Sequence, residues 1–569
     1  MKILTKFVLL SIVFVIGLSA NTYYVSPSGA DSNPGSFERP WASPGYGSKH
    51  MGSGDTLIIL PGEYILSVYY DDMITPPSGT SENWTIVKGE GPVKPILKGR
   101  GDSGLGLLAA IDISGMSYIK IQNIEITSYI DSPYSGGLRE GIDAGGSSEL
   151  DVSDIVLEDL VIHHIEETAI NASGDTRNMV IRRCNFHHTG GSIISAPSGR
   201  HDGWTNVVID SCYLGYAGHF YEGREQISPW ERPDGFGIER SRGPIEIKNT
   251  LSEFNMGDGI DSKSERTYIH NCIVANNWGD GVKLWGDSSR VENTLIYGVG
   301  GGDPAPSPWV SLVVDCDKPN SFFEFTNVTV HDGSPSWRYL ATIDYDTPAL
   351  PVRVRMRNCI FQSTGSRFYC APGVSLEAKN NLFFITGEEI QLECGGREYD
   401  SLSILTFGTN NRYGNPGFLR PAWGEVGDYH LAPSSPAINA GIEEPDIPPY
   451  DLEYFPRPFG TAYDIGCYEF HSATNVESRS SPGVLLELNN FPNPFNTGTT
   501  ITFSLPQRTR AKLKIFDILG REVKTLADAE LDCGVHNFFF LDEALPGGIY
   551  FCRLETRNLS LTKRLILIK

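Results

Sequence analysis

The feature that most constrains the fold is a repeat in the middle of the chain. Each unit alternates apolar and polar residues, turns through an Asn or Asp, and then resumes with apolar residues, as in IKIQNIEI (119–126) and YIHNCIVA (268–275). Period-two alternation predicts strands, and a polar residue at a fixed register predicts a recurring turn. The turn positions, called the anchors below, are Asn123, Asp159, Asn249, Asn271, Asn293, Asn327, Asn358 and Asn380, with Arg183 and Ser211 in two weaker copies.

The spacing of the anchors indicates a solenoid. The intervals 249→271, 271→293 and 358→380 are each 22 residues, and inserted loops account for the longer ones. Leucine-rich repeats have a similar length, but their leucine spacing is absent here. We therefore predict an all-β chain: a right-handed parallel β-helix with about three short strands in each coil, followed by a small C-terminal β-sandwich.

The chain divides into four predicted parts. Residues 1–20 form a signal peptide, with Lys2 and Lys6 before an apolar run at 7–18 that is too short to span a membrane comfortably. Residues 21–470 form the β-helix, in which 21–64 and 431–470 resemble the N- and C-terminal caps of secreted β-helix proteins. Residues 471–489 form a polar linker, and 490–569 form the β-sandwich.

The last 80 residues suggest an export route. The strings NFPNPFNTGTTITFSLP (490–506), KLKIFDILGREVKTL (512–526) and LPGGIYFCRLET (545–556) resemble the type A sorting domain of the type IX secretion system. That resemblance implies a Gram-negative, Bacteroidota-type bacterium. It also implies a protein secreted to the medium or held on the outer-membrane surface, with the secretion machinery as a partner. A carbohydrate-binding or adhesive Ig-like module remains the alternative.

Charge and cysteine usage narrow the function further. Asp and Glu (69) outnumber Lys and Arg (46), so we expect no nucleic-acid binding, and we expect a monomer.

Four cysteines each follow an anchor position: Cys184, Cys212, Cys272 and Cys359. This register favours small buried residues over metal ligands. Cys370 with Cys394, or Cys533 with Cys552, are possible disulfides, although spacing does not establish pairing. The register of His163-His164 and His187-His188 favours stacked pairs over a metal site.

Three neighbouring coils depart from ordinary repeat composition: RPDGFGIER (232–240), MGDGIDSKSE (256–265) and WGDGVKLWG (278–286). Alignment on the anchors places Asp234, Asp258 and Asp280 in one column. Gly237, Asp261 and Lys283 form a second, outward-facing column, and Glu239, Lys263 and Trp285 form a third. Stacked carboxylates repel one another unless a cation lies between them, and Ca²⁺ prefers such oxygen ligands. A solvated ladder of Asp turns is the alternative for any single Asp-Gly pair.

These motifs resemble those of the family 9 polysaccharide lyases, the β-helical pectate lyases. The resemblance implies that Asp234, Asp258 and Asp261 hold Ca²⁺ and that Lys283 is the catalytic base of a β-elimination on a uronic-acid polymer. One family ligand, the first Asp of the middle motif, is replaced by Gly257, and Asp280 is a possible substitute. Arg240, Arg242 and Lys263 would contact an acidic polysaccharide, and Trp230, Trp278 and Trp285 would stack on sugars or pack internally.

Two other functions remain open on the sequence alone. A β-helical glycoside hydrolase would use a pair from Asp258, Asp261 and Asp280 as acid and base. A non-catalytic surface protein would bind glycan or Ca²⁺ without cleaving anything. The polymer and the choice between endo and exo cleavage do not follow from the sequence.

Overall fold

The structure is a computed structural model of the chain. It describes residues 20–68, 70–91, 93–100, 108–129, 137–145, 150–195, 202–220, 232–303, 309–316, 318–332, 339–345, 351–471, 488–491, 495, 498–505, 508–517, 521–531, 534–541, 545–556 and 560–567. Residues 1–19 of the predicted signal peptide, most of the predicted linker, Trp230 and Cys533 lie outside these residues. No helix among the described residues is long and apolar enough to span a membrane.

Three long parallel sheets run the length of the main domain, and each coil contributes strands to them. This confirms the predicted parallel β-helix. The first sheet contains Thr22–Val25, Thr56–Ile59, Thr85–Gly89, Ser117–Gln122, Val152–Glu158, Thr176–Arg182, Val207–Asp210, Ile245–Lys248, Thr267–His270, Ser289–Glu292, Phe322–Thr326, Val352–Arg357 and Val374–Lys379, with Trp204–Thr205 beside Thr176–Arg182. The second contains Glu63–Leu66, Ile96–Gly99, Glu125–Ser128, Val161–Ile165, Asn185–Thr189, Tyr213–Ala217, Leu251–Glu253, Ile273–Ala275, Leu295–Tyr297, Thr329–Asp332, Ile360–Thr364, Leu382–Thr386 and Arg412–Tyr413.

The third sheet carries the candidate site. Its strands are Ala109–Asp112, Glu140–Asp143, Thr168–Asn171, Ile194–Ser195, Phe236–Ser241, Ile260–Ser264, Val282–Leu284, Leu312–Cys316, Tyr339–Tyr345, Arg367–Cys370 and Ile390–Cys394, and the antiparallel strand Arg397–Asp400 closes its C-terminal edge. A short helix, Pro44–His50, a 3₁₀ turn, Ser403–Thr406, and the strand pair Phe418–Arg420 and Asp428–Leu431 lie outside the three sheets.

The anchors form the turns between the first and second sheets. Every anchor adopts the left-handed conformation, from φ 42° at Asn293 to φ 58° at Ser211. Asn and Asp tolerate this conformation better than most residues because their short side chains bond to nearby backbone. The inward residues stack from coil to coil into one apolar core. Cys184, Cys212, Cys272 and Cys359 are fully buried in it, as predicted.

The segment before the linker lies along the anchors, although its sequence resembles a terminal cap. Asn271 donates its side-chain amide to the carbonyl oxygens of Asp451 and Leu452, and Asn358 and Asn380 donate to those of Ile442 and Ala440. The Asn side chains of the anchor turns form a row of amide donors. The backbone carbonyl groups of the segment before the linker accept their hydrogen bonds.

The C-terminal part contains two antiparallel sheets, as predicted. One contains Leu488–Phe491, Gly498–Leu505 and Gly534–Leu541, and the other contains Glu522–Leu531, Thr509–Asp517, Gly548–Glu555 and Ser560–Leu567. Leu513, Phe540 and Leu554 belong to its own apolar core, which is separate from that of the β-helix.

The four histidines stack between coils, as their register predicted. The rings of His163 and His187 are 5.0 Å apart and those of His164 and His188 are 5.1 Å apart. The Nδ1 atoms of His163 and His164 are 2.7 Å apart, and those of His187 and His188 are 2.8 Å apart. Burial and the neighbouring histidines lower the pKa of His164 and of His188 to about 4. The fold therefore favours their neutral form.

We expect this cluster to make stability depend on pH. The folded pKa values of His164 and His188 lie below the ordinary value, so their stabilising contribution is complete above about pH 6.5 and is lost as the pH falls toward 4. Replacing both with Asn, which tolerates their positive φ, should reduce the loss of melting temperature between pH 7 and 4.5 by about 5 °C. Thermal unfolding measures this, with the exposed His50→Asn as control. An unchanged loss in the double variant would contradict the expectation.

Candidate functional site

The strand register brings the two central residues of the predicted site together. Asp261 on Ile260–Ser264 is paired with Lys283 on Val282–Leu284, and Gly237 precedes Asp261 on the strand before. Ile260 and Val282 are fully buried, so the alternate residues Asp261 and Lys283 face outward. The structure therefore places the acid and the lysine side by side on the same exterior face.

The aspartates of the Asp-Gly pairs, Asp234, Asp258 and Asp280, form a column beside that of Asp261 and Lys283, and these two are called the acidic columns below. Oδ1 of Asp234 accepts the backbone N–H of Asp258 at 2.7 Å, and Oδ1 of Asp258 accepts that of Asp280 at 2.6 Å. Oδ1 of Asp280 continues the series by accepting the N–H of Val310 at 2.7 Å. Each aspartate thus uses one oxygen to hold the next coil. The second oxygen is free of this structural task.

Lys283 lies among these carboxylates. Its Nζ is 3.3 Å from Oδ2 of Asp280 and 5.3 Å from the centroid of the Trp285 ring. Burial favours the neutral amine, but the surrounding carboxylates, of which Asp280 acts most strongly, outweigh it and raise the pKa of Lys283 above its usual value. Lys283 is therefore an ammonium at neutral pH in this arrangement.

Asp261 is held from two sides. Its Oδ1 accepts the indole N–H of Trp285 at 2.9 Å, and its Oδ2 lies 3.9 Å from Nζ of Lys263. Lys263 also pairs with Glu239, a residue whose role the sequence did not indicate. Trp285 therefore orients the carboxylate, and its ring lies within cation–π distance of both lysines.

Burial and like charge dominate the electrostatics of the acidic residues. Burial and the charge of Asp261 raise the pKa of Asp234 to about 8. Burial raises the pKa of Asp261 to about 6, against the opposing effect of Lys263 and Lys283. Burial and the charge of Asp280 raise the pKa of Asp258 well above its usual range. Asp234 and Asp258 therefore favour their protonated, neutral forms near pH 7.

Gly257 has no room for the carboxylate that the lyase motif carries at this position. A Cβ atom at residue 257 would lie 2.3 Å from Oδ1 of Asp234 and 2.4 Å from the carbonyl oxygen of Arg232. Arg232 itself forms a buried ion pair with Asp303, with Nη1 2.6 Å from Oδ2. Sequence analysis missed this pair because Asp303 lies in an inserted segment where the repeat register does not apply.

The residues fit Ca²⁺ in chemical type. Asp234, Asp258 and Asp261 offer hard oxygen ligands, and burial is the main cause of their raised pKa values. They are fewer than the six to eight ligands that Ca²⁺ takes. Within the described ranges, no three His, Cys, Asp or Glu side chains are close enough together to hold a metal ion. The Ca²⁺ site stays a prediction.

The remaining predicted contacts are spread around the cluster. Arg240 is exposed, and Arg242 is exposed and pairs with Asp202 at 3.0 Å. Trp278 is buried and packs edge-on against His219, with ring centroids 5.2 Å apart, so it is a packing residue. Of the three tryptophans, the described residues place only Trp285 at the outer face of the site.

Two family models match parts of the chain. A model described as a right-handed beta helix region matches residues 230–384, and one described as a secretion system C-terminal sorting domain matches residues 489–569. No curated protein matches the chain.

Several solved structures are similar to this chain at low identity. One is the pectate lyase Pel9A, at 15% identity and TM-score 0.42, covering 80% of this chain and 98% of that one. Another is XylC in complex with xylose, at 10% identity and TM-score 0.44, covering 91% and 100%. A third is a rhamnogalacturonan lyase, at 14% identity and TM-score 0.36, covering 73% and 97%.

The sorting domain indicates the location of the protein. A domain of this kind directs export by the type IX secretion system in Bacteroidota. The chain is therefore a right-handed parallel β-helix protein with a C-terminal sorting domain of the type IX secretion system, located outside the cell or on its surface.

Proposed function

We propose that this protein is an extracellular polysaccharide lyase that cleaves a uronic-acid polymer by β-elimination. The observation that carries the proposal is the pairing of Asp261 and Lys283 on the outer face, with the carboxylates of Asp234, Asp258 and Asp280 behind them. Proton abstraction next to a carboxylate needs a base and positive charge at that carboxylate, and here a lysine lies beside side chains that could hold a cation.

Lys283 would be the general base of this reaction. Its neutral amine would take the C5 proton of a uronate. The electrons of the C5–H bond would form a C4–C5 double bond as the bond from C4 to the glycosidic oxygen breaks, and the departing oxygen would take up a proton from water to become a sugar hydroxyl. Because the carboxylates raise the pKa of Lys283, only a small fraction of the lysine is neutral at pH 7. The rate should therefore rise with pH.

Asp234, Asp258 and Asp261 would hold Ca²⁺ in this proposal. The ion would supply positive charge to the substrate carboxylate and so acidify the C5 proton. The same three side chains would then no longer stabilise the ammonium of Lys283 as strongly, which moves the pKa of the base toward the working pH. Trp285 and Lys263 would keep Asp261 in position.

The experiment that tests the proposal uses a panel of uronic-acid polymers. We expect purified protein with Ca²⁺ to produce new ultraviolet absorbance from one or more of homogalacturonan, rhamnogalacturonan, alginate or a glycosaminoglycan, because elimination leaves an unsaturated sugar end. A chelator should remove this activity, and raising the pH from 7 to 9 should increase it. Binding of a polymer without any shortening would indicate a non-catalytic glycan-binding protein.

A glycoside hydrolase is the second candidate, and one observation favours it. Burial raises the pKa of Asp234 to about 8 and that of Asp261 to about 6, so one carboxyl of the cluster can remain protonated near neutral pH, as a general acid requires. Shorter products without ultraviolet absorbance, and activity that falls above pH 8, would support hydrolysis over elimination.

A further inference from the structure

Two cysteines meet at the C-terminal end of the third sheet. Cys370 ends the strand Arg367–Cys370, Cys394 ends the neighbouring strand Ile390–Cys394, and the two are register partners. Phe368 and Leu392, two residues earlier on the same strands, are also partners and are both fully buried. The alternation of a strand therefore directs both cysteines toward the interior.

The spacing of the two strands suits a disulfide. Neighbouring strands lie about 4.8 Å apart, and disulfides join residues whose Cα atoms are about 4.4–6.8 Å apart. Each thiol shifts the pKa of the other, and both are free in the structure. Forming the bond keeps the strand register, but it requires the two Cβ atoms to approach to about 3.5–4.5 Å.

The two cysteines differ in exposure and acidity. Cys370 is fully buried, whereas Cys394 is half-buried beside the turn of Gly395 and Gly396. Contact with the Cys370 thiol lowers the pKa of Cys394, while burial and the same contact raise that of Cys370. Cys394 is thus the accessible sulfur that becomes a thiolate first, and thiolates are the nucleophiles of disulfide exchange.

We propose that Cys370 and Cys394 form a disulfide once the protein leaves the reducing cytoplasm. The oxidant is a disulfide-bearing carrier, either a protein or oxidised glutathione. The Cys394 thiolate attacks the carrier disulfide, forms a mixed disulfide and releases one carrier thiolate. Cys370 then loses its proton and attacks the Cys394 sulfur, which releases the second carrier thiolate. Two protein thiols are oxidised and one carrier disulfide is reduced to two thiols.

The bond would brace an end of the solenoid. The strand Ile390–Cys394 is followed by the edge strand Arg397–Asp400, two of whose four residues are exposed. The last coil of a solenoid has a neighbour on one side only, so it is the first to open. A covalent link between the last two parallel strands of the third sheet opposes that opening.

Cys184 and Cys212 supply a control within the same molecule. They lie on neighbouring coils and also contact each other, but both are fully buried in the middle of the core. An oxidant outside the folded protein does not reach them. The proposal therefore expects oxidation at the end of the solenoid and free thiols at its centre.

Thiol mapping of the full chain tests this. The folded protein is treated with oxidised glutathione and alkylated before and after denaturation, and its peptides are identified by mass spectrometry. We expect one peptide pair joined through Cys370 and Cys394, and alkylation of Cys184 and Cys212 only after denaturation. Two alkylatable thiols at 370 and 394 after this treatment, or a bond at Cys184–Cys212 in their place, would overturn the proposal.

Thermal unfolding gives a second readout. A reductant should lower the melting temperature of the oxidised protein by about 5 °C, and it should not change that of Cys394→Ser. Because Cys394 is half-buried, the serine variant should fold. If it does not, the mapping of the unaltered chain still decides the question. An unchanged melting temperature of the oxidised protein in reductant would show that the bond does not brace the coil.

Discussion

Replacing Lys283 with methionine is expected to lower kcat for polymer cleavage by about 10³-fold, within the range for loss of a general base. Methionine keeps an unbranched side chain that can pack against Trp285 but cannot accept a proton. The backbone ladder formed by Asp234, Asp258 and Asp280 does not use the lysine, so the coil should keep its register. Initial rates of ultraviolet absorbance measure the effect, and circular dichroism confirms folding.

Two further variants separate the charge of Lys283 from its role as a base. Lys283→Arg keeps a cation beside Asp280 but does not release a proton at accessible pH, so it should be as inactive as the methionine variant. Lys263→Met is the matched control: this lysine lies on the neighbouring strand and pairs with Glu239, and its loss should cost less than about tenfold. Activity retained in Lys283→Arg would assign Lys283 to substrate contact and contradict β-elimination by this base.

The pH profile follows from the same contacts. Because the carboxylates raise the pKa of Lys283, kcat/KM of the unaltered protein should increase by about tenfold per pH unit over the range below that pKa. Asp280→Asn removes the carboxylate nearest to Nζ, so it should move the rise to lower pH. A profile that is flat between pH 7 and 9 would argue against a lysine base.

The fold could be predicted from the sequence because its signals are local. An anchor such as Asn271 marks a left-handed turn by itself, and the alternation on either side marks the strands. The pairing of Asp261 with Lys283 followed from counting, since each lies twelve residues after an anchor and no loop intervenes between Asn249 and Asn293. Where consecutive coils have equal length, spacing in the sequence specifies spacing in the molecule.

The remaining features depend on contacts that spacing does not encode. Arg232 meets Asp303 across two intervening coils, and Asn271 bonds to backbone 180 residues later in the chain. The use of one oxygen of Asp258 for the N–H of Asp280 is a matter of side-chain rotation rather than register. The elevated pKa of Lys283 is the sum of several such contacts, so the sequence could identify the lysine but not its protonation state.

Replacing Asp258 with asparagine is expected to change stability and activity in opposite directions. The amide oxygen of asparagine can still accept the N–H of Asp280, so the ladder is kept. The variant removes a carboxyl that burial and the charges of Asp280 and Asp234 keep from ionising in the folded state, and without Ca²⁺ it should raise the free energy of unfolding by about 2 kcal/mol at pH 7. Activity should fall by at least about 100-fold, because a proposed Ca²⁺ ligand is lost.

The sign of the pH effect on stability provides a further check. The folded pKa of Asp258 lies above its unfolded value, so the folded state holds its proton more tightly, and the contribution of this group to stability falls as the pH rises from about 4 toward the folded pKa. Asp258→Asn should lack this fall. Denaturant unfolding at pH 5 and pH 8 measures the difference between the two proteins.

The matched control for this variant is Asp287→Asn. Oδ1 of Asp287 also accepts the backbone N–H of the next coil, that of Phe322 at 2.8 Å, but Asp287 lies outside the acidic columns. Asp287→Asn should change the metal-free stability and the activity much less than Asp258→Asn does.

Millimolar Ca²⁺ should raise the melting temperature of the unaltered protein and of Asp287→Asn, because an ion that binds only the folded state stabilises it. It should have little effect on Asp258→Asn. If Ca²⁺ shifts none of the three proteins, the acidic columns do not bind Ca²⁺. The Ca²⁺-assisted mechanism would then be wrong.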